Sequence, residues 1–196
     1  MGLSFHYKGA LKKPQSLKKM IEEVTDISQA NQWKFHIFEE AFPNHAFTLD
    51  SYNDSIYGIC FSPPNCEVVC LTFLSNGKMC AFYNLEHSKI SIEELDDNYL
   101  SVKTQFAGPK IHKQLINIFD YINKKYLENF DLTDEGNYWE TKNDQLLEDT
   151  FEKYTNLING FDSLLENIPI GENETIEAYL IRIAEIAHKK NDKNEG

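Results

Sequence analysis

The sequence has a single arginine, Arg182, among its nineteen cationic side chains. Bidentate recognition of phosphate or guanine relies on the planar arginine fork. With a formal net charge of −12 as well, no nucleic-acid partner is expected. No apolar run approaches the roughly 20 residues that cross a bilayer, so no membrane partner is expected either. The N-terminus, MGLSFHYKGALKKPQ, lacks the apolar core of a secretory signal. Four cysteines without such a signal read as reduced thiols in a cytoplasm.

The motifs of common chemistries are missing too. There is no G-x-G-x-x-G, P-loop or G-x-S-x-G stretch. His6, His36, His45, His87, His112 and His188 are scattered, with no i,i+4 pair and no H-E-x-x-H. No C-x-x-C pair occurs among Cys60, Cys66, Cys70 and Cys80. The expectation is therefore no catalytic residue, no metal ligand and no cofactor, and the reading leans away from an enzyme.

What the sequence does contain is a strong sheet signal from Ser55 to Tyr83. Tyr57, Ile59 and Phe61 alternate before Pro63-Pro64-Asn65 turns the chain. A run from Glu67 to Ser75 then leads into Asn76-Gly77 and a further run from Lys78 to Tyr83. Asn-Gly between apolar runs is the signature of a two-residue type I′ hairpin. In that register Phe73 faces Cys80 and Leu71 faces Phe82, and Cys70 and Cys80 point to opposite faces. Zinc shared by these two thiols is then excluded, and all four cysteines read as small hydrophobes. Cys66, after the Pro-Pro-Asn turn, is the most accessible of them, but Glu67 beside it disfavours a thiolate. Both faces of the hairpin are apolar, so it is expected to be covered on both sides.

Around this hairpin, Leu3, Phe5 and Tyr7 alternate as a first strand. Leu17, Met20, Ile21, Val24, Ile27 and Ala30 mark a helix at spacings of three and four. Trp33, Phe35 and Ile37 mark a second strand, and Pro43 to Asp54 reads as a loop. Leu85 to Asn98 is polar and without a strong period. Leu100, Val102, Thr104 and Phe106 suggest one more strand, and Pro109 opens a helix to about Leu127. Asp131 to Asp144 reads as a connector. A long helix then follows on Leu147, Phe151, Tyr154, Ile158, Phe161 and Leu165. A break at Pro169-Ile170-Gly171 precedes a last helix from about Glu174 to His188, and Lys189 to Gly196 is a tail. The fold class is α+β. The expected form is one antiparallel sheet of five to six strands in β-α-β(4-5)-α order, with helices packed on it and a C-terminal helical hairpin. The expected organisation is a sheet domain over 1–130 and an acidic helical extension over 131–196 packed on it.

Tyr57-Gly58-Ile59 to Pro63-Pro64-Asn65-Cys66-Glu67, Phe73-Leu74-Ser75-Asn76-Gly77 and Asp134-Glu135-Gly136-Asn137-Tyr138-Trp139-Glu140-Thr141 are similar to stretches in a group of small bacterial proteins of unknown function. The resemblance implies a bacterial, soluble, single-chain protein and assigns no activity.

Charge supplies the functional lead. Residues 1–130 carry 15 acidic and 13 basic side chains, whereas residues 131–196 carry 16 and 6. The connector sets Asp134, Glu135 and Glu140 around Tyr138 and Trp139, and Glu148, Asp149 and Glu152 follow on the long helix. Exposed aromatics amid acids make good anchors for a protein partner. These eight residues are the candidate partner-binding site, and the partner is expected to be basic. The leading reading is a non-catalytic, immunity- or inhibitor-like binding protein. The alternative is a small-ligand protein in which the helix from Pro109 grips a curved sheet around an aromatic-lined pocket. A homodimer through the second apolar face of the sheet is compatible with both.

Overall fold

The computed structural model describes residues 2–44, 47, 52–53, 55–83, 99–171 and 174–192. Its elements are β1 (Ser4–Leu11), α1 (Ser16–Ala30), β2 (Lys34–Ile37), β3 (Tyr57–Ser62), β4 (Val69–Phe73), β5 (Leu100–Lys103), α2 (Gly108–Tyr126), β6 (Leu127–Asp134), α3 (Tyr138–Thr141), α4 (Asp144–Asn167) and α5 (Ile176–Asp192). The class is α+β. The single sheet of five to six strands is corrected to two antiparallel three-stranded sheets, ordered β5-β1-β6 and β2-β3-β4.

In the first sheet Phe5 lies opposite Val102 and Asp134, and Tyr7 opposite Leu100 and Leu132. Opposed residues share a face, so the alternation of Leu3, Phe5 and Tyr7 continues laterally into a buried apolar layer. α2 packs on β6 and on α1, with Leu115, Ile116, Phe119 and Ile122 fully buried. The Phe119 ring stands edge-on to Phe5 at 5.3 Å and tilted against Tyr7 at 4.5 Å, so aromatic rings fill the space beneath this helix. A surface cluster ties α2 to α1: Lys125 Nζ and Tyr121 Oη donate to Glu23 at 2.5 and 2.8 Å. β6 takes in the first four residues of the expected connector. Its Glu128, Asn129, Asp131 and Thr133 are exposed while Leu132 and Asp134 point inward. A register shift opposite Lys8 and Ala10, with Asn129 at φ 48°, interrupts the alternation. The expected boundary at 130/131 therefore falls inside a strand.

In the second sheet, Ile59 pairs with Leu71, Cys60 with Cys70 and Phe61 with Val69. α1 packs on β2 and β3, and Trp33 stacks on Phe61 at 5.7 Å. Every residue of β4 is buried. The hairpin after β4 differs from its expected register by one residue. Leu74 N–H donates to Lys78 O at 3.0 Å, Gly77 N–H donates to Leu74 O at 2.8 Å, and Phe73 pairs with Met79. Asn76 is absent from the positive-φ residues, whereas Gly77 has φ 84°. The loop is thus three residues, Ser75-Asn76-Gly77, a type I turn closed by a left-handed glycine that forms a bulge. The shift turns Cys80 onto the face of Cys70 and Thr72, and Cys80 N–H donates to Thr72 O at 3.0 Å. The opposite-face argument against zinc therefore fails. Separately, among the described residues no three His, Cys, Asp or Glu side chains are grouped to hold a metal.

The run from Lys78 to Tyr83 contributes isolated bridges, not a full strand. Its ladder to β4 stops at Thr72 because the Tyr7 hydroxyl takes the next position. That hydroxyl donates to Cys70 O at 2.8 Å and accepts from Cys70 N–H at 3.1 Å. Leu11 N–H to Gly77 O and Met79 N–H to Gly9 O, both 2.9 Å, complete the seam between β1 and the hairpin. β5 ends at Lys103, sooner than expected, because Thr104 O accepts from Ala107 and Gly108 N–H and turns the chain. Phe106 is accordingly 66% exposed.

Two units divide at Phe151/Glu152. In the second, the turn after α4 is held by the only arginine. Arg182 Nε and Nη2 donate to Glu174 at 2.8 and 2.6 Å, and Nη2 also donates to Pro169 O at 3.1 Å. Tyr179 Oη donates to Ile168 O at 2.8 Å. Leu157, Ile170, Ile176, Leu180 and Ile181 of this unit are exposed. No helix among the described residues is long and apolar enough to cross a membrane. The stretch 84–98, His45 and the tail beyond Asp192 lie outside the described residues, as do the side chains of Phe161 and Leu165.

Candidate functional site

Asp134 ends β6 on its inward face, and both carboxylate oxygens are used. Oδ1 accepts from Gly136 N–H at 2.7 Å; Oδ2 accepts from Tyr138 and Trp139 N–H at 2.8 and 2.9 Å. The side chain thereby folds the Asp134–Asn137 turn and fixes the start of α3. Gly136 is required there, since an added Cβ would sit 2.9 Å from both His112 Nε2 and Leu147 Cδ1.

His112, on α2, joins the same cluster, and its side chain and that of Asp134 are fully buried. Its Nε2 stands 2.9 Å from Asp134 Oδ1, with the oxygen off the N–H axis, and its Nδ1 is 2.7 Å from Thr104 Oγ1. A carboxylate only accepts, so the Nε2 edge carries a proton, while Nδ1 shares a hydrogen bond with the Thr104 hydroxyl, which also lies 3.3 Å from Leu3 O. Phe5 and Phe151 stand edge-on to the imidazole at 6.0 and 5.5 Å. Burial pushes the Asp134 carboxyl up, but the imidazole and the Trp139 and Gly136 N–H groups outweigh it and hold the carboxyl below the usual carboxylate range. A hydroxyl, an imidazole and a carboxylate in line resemble a nucleophile with its base. All three are sealed from solvent, and what they do here is join β5, α2, β6 and α3.

The eight expected binding residues therefore separate by role. Asp134 and Tyr138 are buried structural residues. Glu135 accepts from Ser4 N–H at 2.7 Å. Trp139 is half-buried, 6.0 Å edge-on to Phe130, with Lys142 Nζ 4.8 Å over its ring. Glu140, Glu148 and Asp149 in the first unit are exposed, as is Glu152 in the second. No described lysine or arginine forms an ion pair with any of these four. Asp144, by contrast, is taken by Lys113 at 2.5 Å.

The sequence reading missed Thr104 and His112 as a pair. The available signal was position: His112 precedes Leu115, Ile116 and Phe119 by three, four and seven residues, which puts it on the apolar stripe of its helix. A second feature, an open cleft of about 410 Å³, is lined by Pro14, Gln15 and Lys18 at the start of α1 and by Glu40 to Asn44. Burial pushes the Cys66 thiol up to about 12, with Glu67 adding to the shift. Comparison with protein-family models, with curated proteins and with solved structures finds no match.

Proposed function

We propose that the protein is a non-catalytic binding protein, immunity- or inhibitor-like, whose acidic C-terminal third meets a basic protein partner. The observation that carries this reading is the set of exposed carboxylates Glu140, Glu148, Asp149 and Glu152, none of which forms an ion pair with a described lysine or arginine. Carboxylates placed for stability usually have a partner, as Asp134, Asp144 and Glu174 do here. Four left open in a segment with 16 acids and 6 bases suit long-range attraction of an opposite charge. Exposed Leu146, on the same helix as Glu148 and Asp149, supplies apolar contact area that charge alone would not.

The test begins with native mass spectrometry of the full chain isolated from its source cell. A co-isolated basic protein is the expected result. A bound small molecule in its place would favour the alternative, with the cleft at Pro14 to Asn44 as the first place to look. Binding kinetics then follow. Steered association should lose on-rate as the Debye length falls from about 30 Å at 0.01 M to about 8 Å at 0.15 M ionic strength. Glu148→Gln, Asp149→Gln and Glu152→Gln together should slow association at low salt and leave folding nearly unchanged. A wild-type on-rate for that triple variant at low salt would refute the acidic surface as the binding element.

A further inference from the structure

The pairing of β3 with β4 sets two cysteines directly across from one another. Cys60 and Cys70 are direct cross-strand partners on β3 and β4, and neither is in a disulfide. Antiparallel partners alternate between pairs that exchange hydrogen bonds and pairs that do not. The Cys70 backbone settles which kind this is. Its N–H and C=O both go to the Tyr7 hydroxyl, at 3.1 and 2.8 Å, and so point away from β3. Cys60 and Cys70 are therefore a non-hydrogen-bonded pair, in which the Cα atoms stand about 4.5 Å apart with the side chains close. Disulfides span Cα separations of about 4.4–6.8 Å, so no backbone movement is needed to join these sulfurs. The other thiols are placed differently. Cys80 stands across from Thr72, and Cys66 turns its Sγ to Lys103 O at 3.6 Å.

We propose that Cys60 and Cys70 are an oxidative modification site, closing an intramolecular disulfide across β3 and β4 when the protein meets a peroxide or a small disulfide. With hydrogen peroxide the Cys60 thiolate attacks one oxygen, giving a sulfenic acid and, after proton uptake, one water. The Cys70 sulfur then displaces the sulfenic oxygen as a second water. Two thiols are oxidised to one disulfide, and the peroxide takes the electron pair. Cys60 is the entry point because it is 8% exposed against 2% for Cys70. Burial raises both thiols, Cys70 to about 12 with the neighbouring Cys60 contributing, so closure at neutral pH is slow and selective for the cross-strand pair.

The test uses the full chain carrying Cys66→Ala, which leaves Cys60, Cys70 and Cys80. The native protein is treated with excess peroxide, quenched, denatured, alkylated and cut after Glu67 and Lys78, which puts the three cysteines on separate fragments. The expected result is loss of two of the three alkylatable thiols, a linked pair of fragments bearing Cys60 and Cys70, and recovery of both thiols on reduction. Native protein that retains all three thiols while a reference dithiol is consumed would overturn the proposal. So would a Cys70–Cys80 link, or a disulfide joining two chains.

Discussion

Replacing Asp134 with Asn is the sharpest probe of the buried cluster, because it removes one acceptor and changes little else. The carboxylate accepts three backbone N–H groups, two on Oδ2 and one on Oδ1. In the better of the two amide orientations, the carbonyl of Asn keeps Tyr138 and Trp139 while its NH₂ confronts Gly136 N–H and the His112 Nε2 edge. The Gly136 donor is then orphaned, which costs about 1–3 kcal/mol, and the imidazole loses its charged neighbour. The two surviving bonds lose their charge assistance, roughly another 1 kcal/mol in total. The sum, about 2–4 kcal/mol, is a large part of a typical domain stability of about 5–15 kcal/mol. The variant should therefore fold but unfold at lower urea. Tryptophan fluorescence is the suitable signal, since Trp33 and Trp139 both lie in the first unit. A slope of about 1–3 kcal/mol per molar urea converts the loss to a midpoint shift of the order of 1–2 M.

The same pair of proteins carries a pH test. The folded pKa of Asp134 is depressed, so its charged form stabilises fully above the unfolded carboxylate range near pH 3.9. That contribution is lost as pH falls through the lower, folded value, because there the unfolded state binds the proton first. The gap between wild type and Asp134→Asn should be level above about pH 5 and narrow below pH 4. A variant within 0.5 kcal/mol of wild type at pH 7, roughly the scatter of surface substitutions, would refute the account.

Two further outcomes can be checked with the same apparatus. Tyr7→Phe removes the hydroxyl that both donates to and accepts from the Cys70 backbone; it should cost about 1–3 kcal/mol of urea stability and speed hydrogen exchange at Cys70. In the second unit, Arg182→Lys keeps the charge but loses the two-point grip on Glu174, whose Oε2 accepts from Gly171 N–H at 2.9 Å, so exchange at Gly171 should quicken. The Glu174 carboxyl, held down to about 2 by the guanidinium, should titrate closer to the ordinary range in that variant. Acid should then loosen the turn sooner, because a depressed carboxylate stabilises only above its folded pKa.

How far the sequence could be read depended on how local each signal was. Leu17, Met20, Ile21 and Val24 define α1 through spacing alone, and burial follows the same stripe. The Asn76-Gly77 hairpin was legible as a turn but not as a register. Two-residue and three-residue loops both use glycine at a positive φ, and the choice between them was set by pairing with β1 through Gly9 and Leu11, far away in sequence. β6 was illegible for a related reason: as an edge strand it shows water a polar face, its bulge interrupts the alternation, and an inward Asp134 looks like a surface acid. The division into two sheets depends on the Tyr7 hydroxyl ending a ladder, and composition carries no trace of that.

Those misreadings share a location, and the location bears on function. Tyr7 joins the two sheets, and Asp134, His112 and Thr104 join the first sheet to α2 and α3. At each junction backbone ladders stop and a side chain completes the hydrogen bonding. These polar groups are specified by the fold, so the chain is not free to vary them for a partner. Glu140, Glu148, Asp149 and Glu152 make none of these junction bonds; they are exposed and form no ion pair with a described lysine or arginine. Substitutions without shared partners act nearly independently, within about 0.3–0.5 kcal/mol of additivity. The Gln triple variant should therefore add nothing to the urea deficit of Asp134→Asn, and Asp134→Asn should leave the salt dependence of association unchanged while the protein remains folded. Coupling of more than about 1 kcal/mol between the two sets would mean that the acidic surface belongs to the scaffold, and the case for a basic partner would lose its footing.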